Sequence, residues 1–284
     1  MTLTTLALPR PAAMVTSGSR QLGAVEARRM VRHPAYPIGM LYVAVFLVAV
    51  VTEDKPPPVV NTIFVTLFLC MFLVYAPVTI IVANRVAAAT YRRRVREVLD
   101  GTPVQARKRT VGVILGLLRG PVLVGLIAAA TLFILQQFTS ADLPVTDQVL
   151  PRGPLEYLQL PALVLGAGLL GIATARWLPW PGAMPVVVLA VWLGTIAVYP
   201  FSAGTVAEDR AWFALWPVWL AAKEGMLPRQ PLDRELWHLA YLLGLAGLAG
   251  VAALLRVPGR RRPLWITAGA LVVLTGVAAW RQLG

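Results

Sequence analysis

Seven apolar runs, separated by short segments rich in proline or charge, constrain what this chain can fold into. The runs are 17 to 26 residues long and lie at 36–52, 59–83, 111–136, 157–176, 183–202, 236–256 and 264–280. A helix needs about 20 mostly apolar residues to cross a bilayer core of about 30 Å. The sequence therefore predicts an all-α fold: a polytopic membrane helix bundle of six transmembrane helices with a seventh at 264–280.

Composition supports an apolar solvent. Of the 284 residues, 58% are hydrophobic and only 14% are charged, whereas a soluble domain has about a quarter charged residues. The single cysteine, Cys70, lies inside an apolar run, which excludes an internal disulfide framework and a cysteine-based zinc site. The net charge of +13 is concentrated in particular loops, so it favours a membrane topology signal over nucleic-acid binding.

The basic residues predict an orientation. If the N-terminus is cytoplasmic, the cytoplasmic segments carry five basic residues in 1–35, eight in 84–110, Arg176 and four in 256–262, eighteen in all. The external segments then carry seven. Because cytoplasmic loops collect Lys and Arg, we expect a plasma-membrane protein with a cytoplasmic N-terminus, and a seventh span would place the C-terminus outside. Residues 1–35 lack the apolar core of a secretory signal.

Arg119 is the one strong charge inside a predicted span. A charge at that depth is costly and is often functional. It lies about two turns from the cytoplasmic end, beside Gly120 and Pro121. A long side chain there can extend to the interface, and we favour this interpretation.

The connector at 84–110 is predicted to contain a charged helix. Residues 87–99 include strong helix formers and no breaker, and Gly101 suits a helix end. Thr102 and Pro103 then suit the start of a second helix, which continues into the third span. Such a short amphipathic helix could lie on anionic lipid or dock into a groove on a cytoplasmic partner. The residues alone do not favour one over the other.

The N-terminal segment has the same character. "GSRQLGAVEARRMVRHP" predicts an amphipathic helix that ends before Pro34. Its apolar residues are Leu22, Ala24, Val25 and Met30, and its basic residues are Arg20, Arg28, Arg29 and Arg32. We expect a helix lying on the inner membrane surface and leading into the first span.

Two stretches resemble bacterial ABC-2-type permeases. "LGAVEARRMVRHPAYPIGM" is similar to the segment that precedes their first span, and "YRRRVREVLDGTPVQARKRTVGVI" resembles their first cytoplasmic loop. The order and spacing of the first six spans also match. The resemblance implies a transmembrane subunit of an ABC transporter, an exporter. Its domains would be a cytoplasmic segment at 1–35, a six-span transmembrane domain at 36–256, and a basic loop with a seventh span at 257–284.

In that family the connector forms a coupling helix that rests in a groove of the ATPase subunit. The resemblance assigns this helix to about 87–100 and the elbow helix to 18–32. The implied ATPase-coupling residues are Tyr91, Arg92, Arg93, Arg94, Arg96, Glu97, Leu99 and Asp100, and the implied elbow residues are Glu26, Arg28, Arg29 and Arg32. The implied partners are an ABC ATPase subunit, which would bind ATP and Mg, and a second permease subunit. Val98 and the seventh span depart from the family pattern.

Between the fifth and sixth spans, "AWFALWPVWLAA" is too short to cross a bilayer. The segment at about 208–228 is either an interfacial helix or a re-entrant helix packed within the bundle. The resemblance favours the re-entrant form. Trp212, Trp216 and Trp219 recur at helical spacing, which mostly indicates a packing stripe; an outer gate for a substrate is the alternative.

The motifs of catalysis are missing from the sequence. It contains no G-x-x-x-x-G-K-[ST] phosphate loop, so ATP-driven work needs a separate subunit and the chain is not expected to be an enzyme. We take the two histidines, His33 and His238, to be structural, and no metal site is predicted. The alternative function is a polytopic membrane scaffold or anchor whose basic loops bind anionic lipid or a cytoplasmic partner.

Overall fold

The computed structural model describes residues 11–52, 70–89, 106–139, 153–198, 215 and 232–283, which form helices and turns and contain no strand. The helices are α1 (Pro11–Val31), α2 (Ala35–Thr52), α3 (Met71–Ala89), α4 (residues 106–139), α5 (Pro154–Trp177), α6 (Ala183–Val198), α7 (Leu232–Leu255) and α8 (Arg262–Leu283). This confirms the all-α expectation for the described residues.

Where its residues are described, each predicted run lies in one of the helices α2 to α8. Five helices are long and apolar enough to cross a membrane: Met71–Ala89, Ala106–Leu135, Pro154–Trp177, Glu235–Leu255 and Arg262–Gln282. The last of these is the predicted seventh run. Two further apolar helices, Ala35–Phe46 and Ala183–Ala197, are shorter within the described residues. Five apolar helices of this length indicate a multi-pass membrane protein.

Prolines widen two of the helices. α3 begins with a π-helical turn at Met71–Tyr75, and α4 contains another at Leu118–Val122. A proline ring clashes with the carbonyl four residues earlier. For Pro77 that carbonyl lies in the π-helical turn of α3, and for Pro121 it lies just before the π-helical turn of α4. The Tyr75 hydroxyl of the first irregular turn donates a hydrogen bond of 3.1 Å to the Pro121 carbonyl of the second. The two irregular turns therefore join α3 to α4.

α5 is the central helix of the bundle and packs against α3, α4 and α7. Its glycines permit this close packing. A Cβ at Gly168 would collide with the Leu117 side chain of α4, and one at Gly171 would collide with the Ile80 carbonyl of α3. At the end of α5, the Trp177 indole donates a hydrogen bond of 2.9 Å to the Ala252 carbonyl of α7. Because lipid offers no hydrophobic driving force between helices, such backbone approach is what holds a bundle together.

α1 packs against α4 through a second set of small residues. Gly112, Gly116 and Gly120 recur every four residues along one face of α4, and all three meet α1. A Cβ at Gly116 would lie 2.8 Å from the Glu26 Cβ and 3.0 Å from the Ala27 amide nitrogen. This small-xxx-small spacing brings the two backbones into direct contact.

α1 contains the residues assigned to the elbow helix, and it runs parallel to residues 112–120 of α4. Met30 is buried against the bundle and Leu22 is half-buried, whereas Ala24 and Val25 are exposed. The glycine face of α4 explains this arrangement, since it offers α1 a groove that larger side chains would fill.

We call the end of the bundle that carries Ala89 and Ala106 the connector end, since residues 90–105 join α3 to α4 there. The turn between α7 and α8 lies at the same end: Arg107 is beside Gly259, 3.5 Å from the position that a Cβ would occupy. The structure thus places the basic segments 106–109 and 256–262 at the same end of the bundle. The sequence predicts both segments on the cytoplasmic side, so this arrangement agrees with that prediction.

The glycine contact between α1 and α4 leads to a stability prediction. Gly116→Leu should lower the free energy of unfolding by about 1–3 kcal/mol, because the added side chain enters a filled contact. The control is Gly269→Leu on α8, where a Cβ would meet nothing within 4 Å. Melting temperatures of both variants in detergent are the measurement. A loss equal in the two variants would contradict the contact.

Candidate functional site at the connector end

The predicted coupling residues fall mostly beyond the described ranges. Ala87–Ala89 form the last turn of α3, and the remaining residues, Tyr91, Arg92, Arg93, Arg94, Arg96, Glu97, Leu99 and Asp100, lie outside the described residues. The structure nevertheless defines both flanks of this connector, α3 on one side and α4 on the other.

The α3 flank is tied to the bundle almost to its end. Val86 and Ala87 are buried in the main apolar core. The Asn84 side-chain amide donates a hydrogen bond of 3.1 Å to the Gly171 carbonyl of α5. A displacement of the connector next to Ala89 would therefore be transmitted to α3 and, through Asn84, to α5.

The α4 flank is held by α1. Its first turn carries Arg107, Lys108 and Arg109, and the next residue, Thr110, is fully buried. The glycine contact with α1 begins only two residues later, at Gly112. The basic first turn of α4 therefore lies directly next to the packed contact between α1 and α4.

The elbow residues divide into one buried acid and a basic surface. Glu26 is buried against Gly116, whereas Arg28, Arg29 and Arg32 are exposed. A guanidinium nitrogen of Arg29 lies 4.0 Å from a Glu26 carboxylate oxygen. Burial raises the pKa of Glu26 above its ordinary value of 4.5, and the charge of Arg29 opposes this shift. The three arginines are available to headgroups or to a partner.

Arg119 connects α4 to α1. Its guanidinium donates a hydrogen bond of 2.8 Å to the Arg20 carbonyl, and the side chain is exposed on the bundle surface. The neighbouring Gly120 meets Ala27 and Val31, about two turns further along α1. The guanidinium therefore reaches back toward the connector end, the direction expected of a side chain that extends to the interface.

Two spaces lie one above the other along α3, α5 and α6. The first, which we call the apolar cavity, has a volume of about 250 Å³ and is lined on these helices and on α7 by residues such as Ile80, Gly166, Leu170 and Trp192. The second, the vestibule, has a volume of about 890 Å³ and lies nearer the connector end. Ligand pockets commonly measure about 300–1,000 Å³, so the vestibule is of that size.

The vestibule has a polar corner on α3. Asn84 and Arg85 line it, opposite the prolines and Trp180 of the turn between α5 and α6. Arg85 is exposed. His33 lies nearby, and burial, together with the charge of Arg85, lowers the pKa of this imidazole, so that Arg85 is the cation of this corner at neutral pH. In the sequence, Arg85 contributed only to the charge count of its loop.

A buried polar cluster at the opposite end was not predicted. Glu156 and Gln159 of α5, Glu235 and His238 of α7, and Gln282 of α8 are all buried there. A ring nitrogen of His238 lies 3.0 Å from the Gln282 side-chain oxygen. The Glu235 carboxylate lies against Gly153, where the first backbone N–H groups of α5 favour negative charge. Spacings of three residues, 156–159 and 235–238, were the available signal, since they put each pair on one helix face.

The predicted outer gate cannot be placed. Trp212, Trp216 and Trp219 lie outside the described residues, as does most of the segment 208–228. Leu215 is helical, and its carbonyl accepts a hydrogen bond of 2.8 Å from the Tyr241 hydroxyl of α7. This contact places Leu215 against α7.

Within the described ranges, no three His, Cys, Asp or Glu side chains cluster in a way that could hold a metal ion.

Comparisons with protein-family models, with curated proteins and with solved structures found no match.

The buried carboxyl of Glu26 gives a pH prediction. Because its folded pKa is raised above 4.5, its contribution to stability is present below pH 4.5 and is lost as the pH rises through the raised value. Glu26→Gln should therefore raise the melting temperature at pH 7 and flatten its dependence on pH above 4.5. The ion pair with Arg29, at 4.0 Å and with an exposed guanidinium, is too weak to reverse this. A melting temperature that falls at pH 7 would contradict it.

Proposed function

We propose that this chain is the transmembrane permease subunit of a bacterial ABC-2-type transporter, an exporter that moves its substrate across the cell membrane. In this proposal α2 to α8 are seven spans, the N-terminus is cytoplasmic and the C-terminus is extracytoplasmic. α1 is the elbow helix, residues 87–100 are the coupling helix, and 208–228 form an outer re-entrant element.

The observation that carries the proposal is that the helices on both sides of the connector are packed tightly into the bundle. It joins two helices that are each fixed to the bundle at the connector end, α3 by the Asn84 hydrogen bond to α5 and α4 by its glycine contact with α1. A loop that only bound lipid would not need such rigid flanks. A loop that receives force needs them, because a push on a loosely attached helix end would be lost in local bending.

The force would come from partner subunits. Since the sequence has no phosphate loop, ATP and Mg would bind to a separate ABC ATPase subunit, and closure of two such subunits would press on the coupling helix. A second permease subunit would complete the translocation path. The arginine-rich sequence at 92–96, which lies outside the described residues, would supply charge for docking into the ATPase groove.

A membrane scaffold is the second candidate. The observation that favours it is the basic surface of α1, where Arg28, Arg29 and Arg32 are exposed and suit anionic headgroups. This surface requires no ATPase, so the two candidates differ in what they predict for the connector.

Charge reversal of the connector separates the two candidates. The variant Arg92→Glu, Arg93→Glu, Arg94→Glu should lose about tenfold or more of its co-purification with an ATPase that carries a phosphate loop, because like-charge contacts replace attractive ones. The ATP hydrolysis rate of the purified complex should fall in parallel.

The matched control is Arg260→Glu, Arg261→Glu, Arg262→Glu, which reverses three consecutive arginines at the same end of the bundle. This control should retain the ATPase. Equal retention by both triple variants would contradict the transporter proposal and leave the scaffold.

A further inference from the structure

We propose that an anionic membrane lipid binds along α3, α5 and α6, with its head group at Arg85 and one acyl chain in the apolar cavity. The site is independent of whether an ATPase partner exists, since every residue that forms it belongs to this chain.

The apolar cavity suits a hydrocarbon chain. Its described lining side chains are apolar except for the Trp192 indole N–H and the Thr195 hydroxyl, which already donates to the Val191 carbonyl at 2.8 Å. Water in such a space would find few partners, whereas an acyl chain needs none. Small residues line the space: a Cβ at Gly166 of α5 would meet only the Ala246 Cβ of α7, at an ordinary contact distance of 3.8 Å.

The cavity opens to the side of the bundle, where lipid chains are. Trp192, one of its lining residues, is 42% exposed, and α6 as a whole makes few contacts with α3 and α5. A chain can therefore enter from the bilayer between α6 and its neighbours. This lateral opening is the reason for assigning the site to a membrane lipid and not to a water-soluble ligand.

The vestibule supplies the head-group end. Ile80 lines the cavity and Arg85 lines the vestibule, five residues further along α3, which is about 7.5 Å along a helix axis. The described residues that line the vestibule include no acidic side chain, so the Arg85 guanidinium lacks a carboxylate there. Trp180, 53% exposed at the vestibule, is of the type that lies at headgroup depth. A phosphate at Arg85 with a chain toward Ile80 fits both spaces at once.

The test is lipid titration of the purified full chain in detergent, followed by native mass spectrometry. The probes are dioleoyl phosphatidylglycerol and dioleoyl phosphatidylcholine, which share their chains and differ in net charge. We expect phosphatidylglycerol to bind about tenfold more tightly, and Arg85→Gln to remove this preference while Arg85→Lys retains it.

The chain site is tested with Gly166→Leu, which should weaken the binding of both lipids about equally because it fills the cavity. The controls are Arg260→Gln, an exposed arginine at the same end, and Gly269→Leu, an exposed glycine on α8. Equal affinity for the two lipids, or an effect of Arg260→Gln as large as that of Arg85→Gln, would overturn the head-group assignment. Unchanged binding to Gly166→Leu would overturn the chain site.

Discussion

Backbone contact between helices, made possible by glycine, is the interaction on which the rest of this structure depends. Gly171 brings α5 onto α3, and Gly112, Gly116 and Gly120 bring α1 onto α4. In a bilayer, apolar side chains gain little by leaving lipid for another helix, so close packing has to supply the stability. These two contacts fix the helices on either side of the charged connector.

Because these contacts hold α3, α4 and α5 together, α6 can pack more loosely than the other helices. α5 is buried on most sides, while α6 makes few contacts with the other described helices and leaves the apolar cavity and the vestibule beside it. α3 borders both spaces and also ends at the connector. A displacement applied at Ala89 would thus change the groove between α3 and α6 before it changed the packed contact of α3 with α5. This geometry links the connector to the proposed lipid site.

Sequence reasoning located the helices because apolar length and proline are local signals. The runs at 264–280 and 157–176 were readable for that reason, and both coincide with helices. The position of α1 was not readable, because a glycine every four residues in α4 does not reveal which helix fills the groove. The burial of Glu235 and His238 was not readable either, since it depends on α5 and α8. The role of Arg85 likewise depends on a space formed by three helices.

If a partner ATPase drives the proposed exporter, nucleotide should move α3 against α6 at the vestibule. Spin labels at Ala88→Cys and Val188→Cys, in a Cys70→Ala background, report this distance by pulsed electron resonance in the purified complex. We expect the distance distribution to shift when ATP and Mg are added. The distance between labels across the contact of α1 with α4, at Val25→Cys and Leu118→Cys, should stay constant. An unchanged α3–α6 distance in a complex that hydrolyses ATP would contradict it.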